Sequence, residues 1–302
     1  MKSYVTIDGG TTNTRLYLVS DLKVERSVKL AVGARNGKDA LLSAISGAIG
    51  DLVSNTSELE AIIASGMISS EYGLVNLPHV IAPAGKDELS EAMYKTEFEV
   101  TGRTPWYFIR GVKTVGDTLK ETDVMRGEET ELMGLTDEGE DAIYVMPGSH
   151  SKHVKIDRFG RIISFSTMLS GELFTAILEN TILRDAADLS CSNIVAQKLK
   201  EGYGYASQHG INEALFKARI LKNLFAAGKD ECYSFLLGAT LSAEVESLIS
   251  NDCKKIIITG QKQQKDALSI LLSDSGKEVK VIDDLTASHA TALGAVKIFE
   301  CR

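Results

Sequence analysis

A glycine-rich turn near the start of the chain carries side chains suited to binding phosphate. Its sequence is IDGGTTNTR (residues 7–15), placed between two apolar segments. Glycines allow close backbone approach, and hydroxyl, amide and N–H groups in such a turn form an anion-binding concavity. The residues concerned are Gly9, Gly10, Thr11, Thr12 and Asn13. Asp8, at the end of the preceding strand, can hold Mg²⁺ while the metal bridges phosphates. An ordinary polar hairpin is the alternative, but the Asp-Gly-Gly-Thr-Thr run favours phosphate.

A second turn of the same kind occurs in VMPGSHSKHVKI (residues 145–156), again between two apolar segments. We predict a second phosphate-binding hairpin, although this segment alone is equally consistent with a polar hairpin. Its candidate residues are Gly148, Ser149, His150, Ser151 and Lys152, the last four near the tip. A metal site at His150 and His153 fits less well, because their spacing suits a helix and the flanking sequence suits strands.

Two further kinds of segment could complete a site. In ITGQKQQK (258–265), Gly260 and Gln261 follow a buried strand and open a helix, where the adenosine of a nucleotide can lie. Many α/β proteins share this feature without a ligand, so alone it is weak evidence for nucleotide binding.

SGMISS (65–70) and LSGELF (169–174) could line a pocket or form helix caps. Their candidate substrate contacts are Ser65, Gly66, Met67 and Glu172.

An acidic run, DVMRGEETEL at 123–132, could supply a base. A solvated helix face is the usual interpretation of such a run. Gly127 argues against it, since glycine in a helix costs about 1 kcal/mol against alanine. One of the carboxylates of this run, which are those of Asp123, Glu128, Glu129 and Glu131, could take a proton from a hydroxyl group during phosphoryl transfer. Glu129 is a further candidate for the substrate side of this site.

Composition restricts the class of protein. The 302 residues carry a net charge of −8, which argues against a nucleic-acid partner but permits a small anionic ligand in a locally positive cleft. No stretch has the length and apolarity of a membrane span, and the apolar run at the N-terminus is interrupted at Asp8, too early for a signal peptide. The four scattered cysteines indicate free thiols. We therefore expect a cytoplasmic protein.

The motifs of P-loop kinases, protein kinases and GxSxG hydrolases are absent.

The elements around these motifs follow a pattern that occurs twice. Strands are predicted at 3–8, 14–19 and 60–64, and then at 143–147, 152–156, 161–166, 254–259 and 278–282. Helices are predicted at 38–53, 121–134, 170–183, 211–227, 233–250 and 286–299. This order favours a duplicated mixed sheet with helical covers. We expect domains at 1–138 and 139–302, with the last helix packing back on the first.

The two turns, the late Gly260 motif and the carboxylate between the turns resemble the superfamily of actin, heat-shock chaperones and sugar kinases. The resemblance implies an α/β fold of two ribonuclease-H-like, actin-like ATPase domains with mixed sheets flanked by helices and a cleft between them. The sequence is most similar to the 2-dehydro-3-deoxygalactonokinases. The segments that carry this similarity are ASGMISSEYGLVNLPHVIAPAG (64–85), DVMRGEETELMGL (123–135), MPGSHSKHVKI (146–156) and FSTMLSGELFTAILENTIL (165–183).

This resemblance implies transfer of the γ-phosphoryl group of ATP, with Mg²⁺, to the 6-hydroxyl of 2-dehydro-3-deoxy-D-galactonate in galactonate catabolism. It implies ATP phosphates bound by both hairpins, and Lys152 neutralising transition-state charge. Related kinases have Gly-Asp where this chain has Gly127-Glu128, so Glu128 is the first candidate for the base and Asp123 the second. Arg126 is the candidate for the substrate carboxylate. Alternatives are a kinase of another sugar acid or sugar, an actin- or chaperone-like ATPase, and a regulator without activity. A homodimer is left open.

Overall fold

The computed structural model describes residues 2–136 and 139–302, which form two compact units. The first unit comprises Met1–Glu140, Lys155–Phe165 and Leu285–Arg302. The second comprises Asp141–Val154 and Ser166–Asp284. The domain boundary predicted after residue 138 falls on residues 137–138, outside the described residues, so it stays a prediction.

The strands and helices cover most of both units. The strands are β1 (Ser3–Gly9), β2 (Thr14–Ser20), β3 (Lys23–Leu30), β4 (Ala61–Gly66), β5 (Val80–Ile81), β6 (Tyr94–Thr96), β7 (Trp106–Phe108), β8 (Val112–Thr114), β9 (Asp123–Met125), β10 (Ala142–Met146), β11 (Ser151–Ile156), β12 (Ile162–Met168), β13 (Lys255–Ile258) and β14 (Glu278–Val281). The helices are α1 (Lys38–Leu52), α2 (Lys86–Glu91), α3 (Glu128–Leu135), α4 (Ser170–Asn180), α5 (Ala196–His209), α6 (Ile211–Phe225), α7 (Lys229–Ile249), α8 (Lys262–Leu272) and α9 (Asp284–Glu300).

The first unit is built on a six-stranded sheet in the order β3-β2-β1-β4-β7-β6. Strands β1, β4 and β7 run parallel, so their carboxyl ends meet at one edge. Alternate residues of these strands face opposite sides. Val5, Ile62 and Trp106 pack with α1 on one side, while Tyr4 and Tyr107 pack against Phe299 of α9 on the other. Both faces are therefore covered, and every residue of β4 is buried.

A second sheet has five strands in the order β12-β11-β10-β13-β14. Its core contains apolar residues of β10 and β13 together with α4, α5, α7 and α8. Strand β13 runs parallel to β10, as β4 does to β1. When the strands of each sheet are counted along the chain, both sheets have the order third, second, first, fourth: β3-β2-β1-β4 and β12-β11-β10-β13. The predicted mixed sheets flanked by helices are thus confirmed.

One predicted element is wrong. Residues 121–134 do not form one helix: Asp123–Met125 is strand β9 of a small sheet with the order β5-β8-β9, and α3 begins only at Glu128. The reason is Gly127, whose φ of +114° lies outside the helical region and is open to glycine. Within residues 2–136 and 139–302, none of the helices has the length and apolarity needed to cross a membrane.

Candidate active site

Three glycines bring the ends of β1 and β4 and the start of α3 into close approach. A Cβ atom on Gly66 would lie 2.7 Å from the carbonyl oxygen of Gly9, and one on Gly9 would lie 2.6 Å from Cβ of Ile68. A Cβ on Gly127 would lie 3.3 Å from Cα of Gly66. Both Gly66 and Gly127 also have positive φ angles. Side chains at these positions would therefore separate the segments that carry Asp8 and Glu128.

Asp8 lies at the carboxyl end of β1, opposite Arg15 of β2 and beside Ser65 of β4. Its carboxylate is 3.7 Å from the Arg15 guanidinium, and its side chain is one quarter exposed (25%). Burial raises the pKa of Asp8; Arg15 opposes this rise and Glu128 adds to it. The structure thus brings together the two carboxylates that the sequence singled out, and a cation would relieve their repulsion.

The turn after Asp8 presents polar groups to solvent. The Gly10 N–H donates to the Asn13 carbonyl oxygen at 2.8 Å. The carbonyl oxygens of Gly10 and Thr11 accept hydrogen bonds from the N–H groups of residues 34–35 at 3.0 and 3.1 Å. These bonds fix the backbone, while Thr11, Thr12 and Asn13 are exposed. The turn is therefore rigid and open on one side, as binding of an anion requires.

The two candidate bases differ in position. Glu128 is the first residue of α3. Its Oε2 accepts a hydrogen bond from the Arg126 N–H at 3.1 Å. Asp123 begins β9, is paired with Thr114, and accepts a hydrogen bond from the Val124 N–H. Gly127, directly before Glu128, approaches Gly66, which is paired with Gly9 at the end of β1, so the geometry favours Glu128 over Asp123.

Glu129 faces the interior, and no part of it is exposed. Its Oε2 accepts a hydrogen bond from the Gly127 N–H at 2.7 Å, and its Oε1 accepts one from the Thr130 hydroxyl at 3.1 Å. Burial, with a contribution from Glu128, raises the pKa of Glu129 to about 8. Glu129 was predicted to contact the substrate, but none of its atoms is exposed for such a contact. The carboxyl group instead holds the turn that places Glu128.

Arg126 is occupied by bonds within the protein. Its Nη1 donates to the carbonyl oxygen and hydroxyl of Ser69 at 2.7 and 2.8 Å. Its Nη2 donates to the Leu77 carbonyl oxygen at 2.9 Å and lies 3.3 Å from His79 Nε2. These bonds tie the segment after β4 to the start of α3. They favour a structural role for Arg126 over the predicted binding of a substrate carboxylate.

The predicted substrate residues of β4 lie next to Asp8. Ser65 is fully buried, and its hydroxyl has no hydrogen-bond partner among the described residues. Gly66 makes the close contact with Gly9 described above, and Met67, which is partly exposed, begins the next turn. Ser65 and Gly66 thus position backbone at the sheet edge, whereas Met67 retains exposed surface.

The second turn lies against the start of α4, within the second unit. A Cβ atom on Gly171 would lie 2.0 Å from the Gly148 carbonyl oxygen, and the Glu172 N–H donates to the Ser149 carbonyl oxygen at 3.0 Å. His150 Nε2 lies 2.8 Å from Glu172 Oε2, and both side chains are more than half exposed. Gly148, Ser149 and His150 therefore form a supported, solvent-facing turn, with Glu172 beside it.

Ser151 and Lys152 are not at the tip of this turn, contrary to the prediction, because β11 begins at Ser151 and buries both. The Ser151 hydroxyl donates to Oε2 of Glu244 on α7 at 2.7 Å, and His153 Nε2 lies 3.0 Å from the same oxygen. Although burial raises the pKa of Glu244, His153 and nearby hydroxyls outweigh it and lower the pKa overall. The sequence analysis missed Glu244; its only signal was a glutamate in an apolar helix.

Gly260 brings the start of α8 to the same turn. Its φ is +91°, and a Cβ atom there would lie 2.5 Å from the Pro147 carbonyl oxygen. The Gln261 N–H donates to that oxygen at 3.3 Å. A cavity of about 680 Å³ opens along α8. Its lining includes Ser192, Asn193, Lys262, Gln263 and Asp266. The cavity is large enough for a nucleoside, and its lining residues Lys262 and Gln263 directly follow the predicted adenosine motif in the sequence.

The residues present fit a magnesium ion held largely by phosphate. In the described part of the chain, no group of three or more His, Cys, Asp or Glu side chains could hold a metal ion. Mg²⁺ in phosphoryl-transfer sites needs only one or two carboxylates, with waters and phosphates as the remaining ligands. Asp8, with its partly buried carboxylate beside the open turn, meets that requirement.

Comparison with solved structures shows which fold the chain has. A Sinorhizobium meliloti protein provisionally named a 2-dehydro-3-deoxygalactonokinase has a TM-score of 0.82 to this chain, with 23% identity over 98% of this chain and 97% of that one. Component A of (R)-2-hydroxyglutaryl-CoA dehydratase from Acidaminococcus fermentans has a TM-score of 0.55, with 15% identity over 98% and 97%. The fold is that of the actin-like ATPases and sugar kinases.

Sequence comparison gives the family. The model of the 2-keto-3-deoxy-galactonokinase family matches residues 8–298, so the chain belongs to that family. The 2-dehydro-3-deoxygalactonokinase of Escherichia coli (strain K12) is 28% identical over 254 residues, which are 81% of this chain and 80% of that protein. The chain is therefore a phosphotransferase that acts on a small molecule, with ATP as the implied co-substrate.

Proposed function

We propose that this chain transfers the γ-phosphoryl group of ATP to the 6-hydroxyl of 2-dehydro-3-deoxy-D-galactonate, a step of galactonate catabolism. The observation that carries the proposal is the close approach of the ends of β1 and β4 and the start of α3, which places Asp8 and Glu128 beside a rigid, open turn. The family to which the chain belongs supports the choice of acceptor.

In this mechanism Glu128 accepts the proton of the 6-hydroxyl as its oxygen attacks the γ-phosphorus. The bond between that phosphorus and the oxygen bridging to the β-phosphate breaks, which releases ADP with the electron pair of that bond. A base in hydrogen-bond reach of the hydroxyl contributes roughly 10² to 10⁴ in rate. The Arg126 N–H holds one Glu128 oxygen, so the carboxylate is oriented before substrate binds.

The remaining groups bind ATP. Asp8 would hold Mg²⁺ through water, and the ion would neutralise phosphate charge during transfer. Thr11, Thr12 and Asn13 in the first turn, and Gly148, Ser149 and His150 in the second, would donate to phosphate oxygens. Lys152 would add positive charge from behind the second turn. Gly260, Gln261 and the cavity along α8 would hold the nucleoside.

We also propose a cytoplasmic location, in keeping with four cysteines that are all free. A homodimer stays a prediction, which sedimentation velocity would test.

The choice of base is tested by comparing two isosteric variants, Glu128→Gln and Asp123→Asn, in an assay of acid-dependent ADP release. We expect Glu128→Gln to lower kcat by roughly 10² or more, since the amide cannot accept the proton. Asp123→Asn should stay within about threefold of the wild type, and melting temperatures should show that both variants fold. The reverse order of the two effects would assign the base to Asp123.

A further inference from the structure

Arg110 is a half-buried cation that the protein does not use. It lies two residues beyond the end of β7, and its Nε is enclosed without a hydrogen-bond partner. Among residues 2–136 and 139–302, no hydrogen bond, ion pair or ring contact involves its guanidinium. Neither the sequence analysis nor the proposed mechanism gives it a role.

The backbone holds Arg110 at the edge of the sheet where the parallel strands end. The N–H of Ile109 donates to the Ala64 carbonyl oxygen of β4 at 2.8 Å. On the other side, a Cβ atom on Gly111 would lie 2.4 Å from the Met125 carbonyl oxygen and 2.7 Å from His79. Arg110 is therefore fixed between the end of β4 and the segment that leads into α3.

Burial of the Arg110 Nε without a partner is unfavourable, because the lost hydration of this N–H group is not compensated. A bound anion would provide that compensation, and the planar fork of arginine matches a carboxylate in a bidentate manner. Arg126, the arginine singled out in the sequence, already has partners: its terminal nitrogens contact Ser69, Leu77 and His79.

The position also suits the far end of an acceptor. In the proposed reaction the 6-hydroxyl lies near Glu128 and Asp8, and the carboxylate lies at the opposite end of the carbon chain. Strand β7 is separated from β1 by β4, so their ends are two strand spacings apart, roughly 10 Å. We propose that Arg110 binds the carboxylate of the sugar acid, an inference that rests on the proposed function.

The experiment compares Arg110→Gln, Arg126→Gln and the wild type with two acceptors, the sugar acid and its uncharged methyl ester. Arg103→Gln is the matched control, since Arg103 is an exposed arginine of the same unit. We expect Arg110→Gln to raise the KM for the acid by about tenfold or more, in line with the loss of charge-assisted hydrogen bonds. The KM for ATP should not change, and the preference for acid over ester should disappear.

Thermal melting separates binding from a structural role. Arg110→Gln should melt at or above the wild-type temperature, because it removes an uncompensated charge, and the acid should no longer raise its melting temperature. Arg126→Gln should melt lower but retain the preference for acid over ester. A retained preference in Arg110→Gln, or a rise in its KM for ATP instead, would overturn the assignment. A wild-type protein that releases no ADP in response to the acid would contradict the proposed function itself.

Discussion

Three carboxyl groups, those of Asp8, Glu128 and Glu129, lie near one another around the start of α3. Burial is the main cause of the raised pKa values of Asp8 and Glu129, and the charge of Glu128 adds to both. Glu129 is therefore held largely neutral near pH 7. Its carboxyl group serves to hold the turn before α3, and Glu128 is left as the candidate base.

The raised pKa of Glu129 predicts how stability depends on pH. Its folded-state pKa is about 8 and its ordinary value is 4.5, so the folded state binds an extra proton between these values. The free energy of unfolding should then fall as pH rises through this window, and the contribution is lost above about pH 8. Glu129→Gln cannot lose a proton, so its stability should decline less, by an amount on the order of a few kcal/mol.

Urea unfolding of the wild type and Glu129→Gln at several pH values within this window checks the prediction. Glu179→Gln is a suitable control, because Glu179 is an exposed glutamate of α4. Equal pH slopes for the wild type and Glu129→Gln would show that Glu129 is ionised in the folded protein.

At the scale of single residues, the sequence identified the polar residues near the site but did not show which of their side chains point inward. Asp8 and Glu128 were both singled out beside glycines, and the structure brings the segments that carry them close together, while their roles stay a prediction. The inward orientation of Glu129 and Ser151 could not be predicted, because it depends on where α3 and β11 begin. Arg110 and Glu244 belong to no sequence motif. Only the fold shows that the Nε of Arg110 lacks a hydrogen-bond partner and that Glu244 bonds to buried side chains.

The approach of β1, β4 and α3 depends on glycine at Gly66 and Gly127. Gly127→Ala would place a side chain at φ +114° and 3.3 Å from Gly66 Cα. We expect it to lower the free energy of unfolding by about 2 kcal/mol, from backbone strain and contact. It should also lower kcat at least about tenfold, since a small displacement of a catalytic group has a large effect on rate.

Gly102→Ala is the matched control for this variant. Gly102 also has a positive φ, +63°, but a Cβ atom there would meet nothing within 4 Å. The Gly102→Ala variant should therefore lose stability from backbone strain alone, and its kcat should not change. Similar losses of kcat in both variants would show that the effect is general instability, without a specific role for the contact between Gly127 and Gly66.

Most helices and strands near the site were predictable because their apolar periodicity is strong. The helix predicted at 38–53 is observed as Lys38–Leu52, and the strand predicted at 254–259 as Lys255–Ile258. The helix at 121–134 was wrong since its acidic residues resemble a solvated helix, whereas Gly127 divides the segment into a strand and a helix. Short strands such as β5 and β8 have too few residues to show a period.

At the scale of the whole molecule, the repeated strand order explains why two turns of similar sequence occur. Each turn joins the first and second strands of a sheet, and in each sheet the fourth strand runs parallel to the first. The sequence indicated this duplication through its order of strands and helices. The sequence analysis also expected the last helix to pack back on the first domain, and Leu285–Arg302 is part of the first unit.

The central claim is that this chain is a kinase of a sugar acid. ADP release should be measured with Mg-ATP and separate acceptors: 2-dehydro-3-deoxy-D-galactonate, other sugar acids including gluconate, and neutral hexoses. The account predicts ADP release that depends on 2-dehydro-3-deoxy-D-galactonate, with one phosphoryl group gained by the acid for each ADP formed, and little release with hexoses. Equal ADP release with every acceptor, and without any, would contradict the account and indicate an ATPase instead.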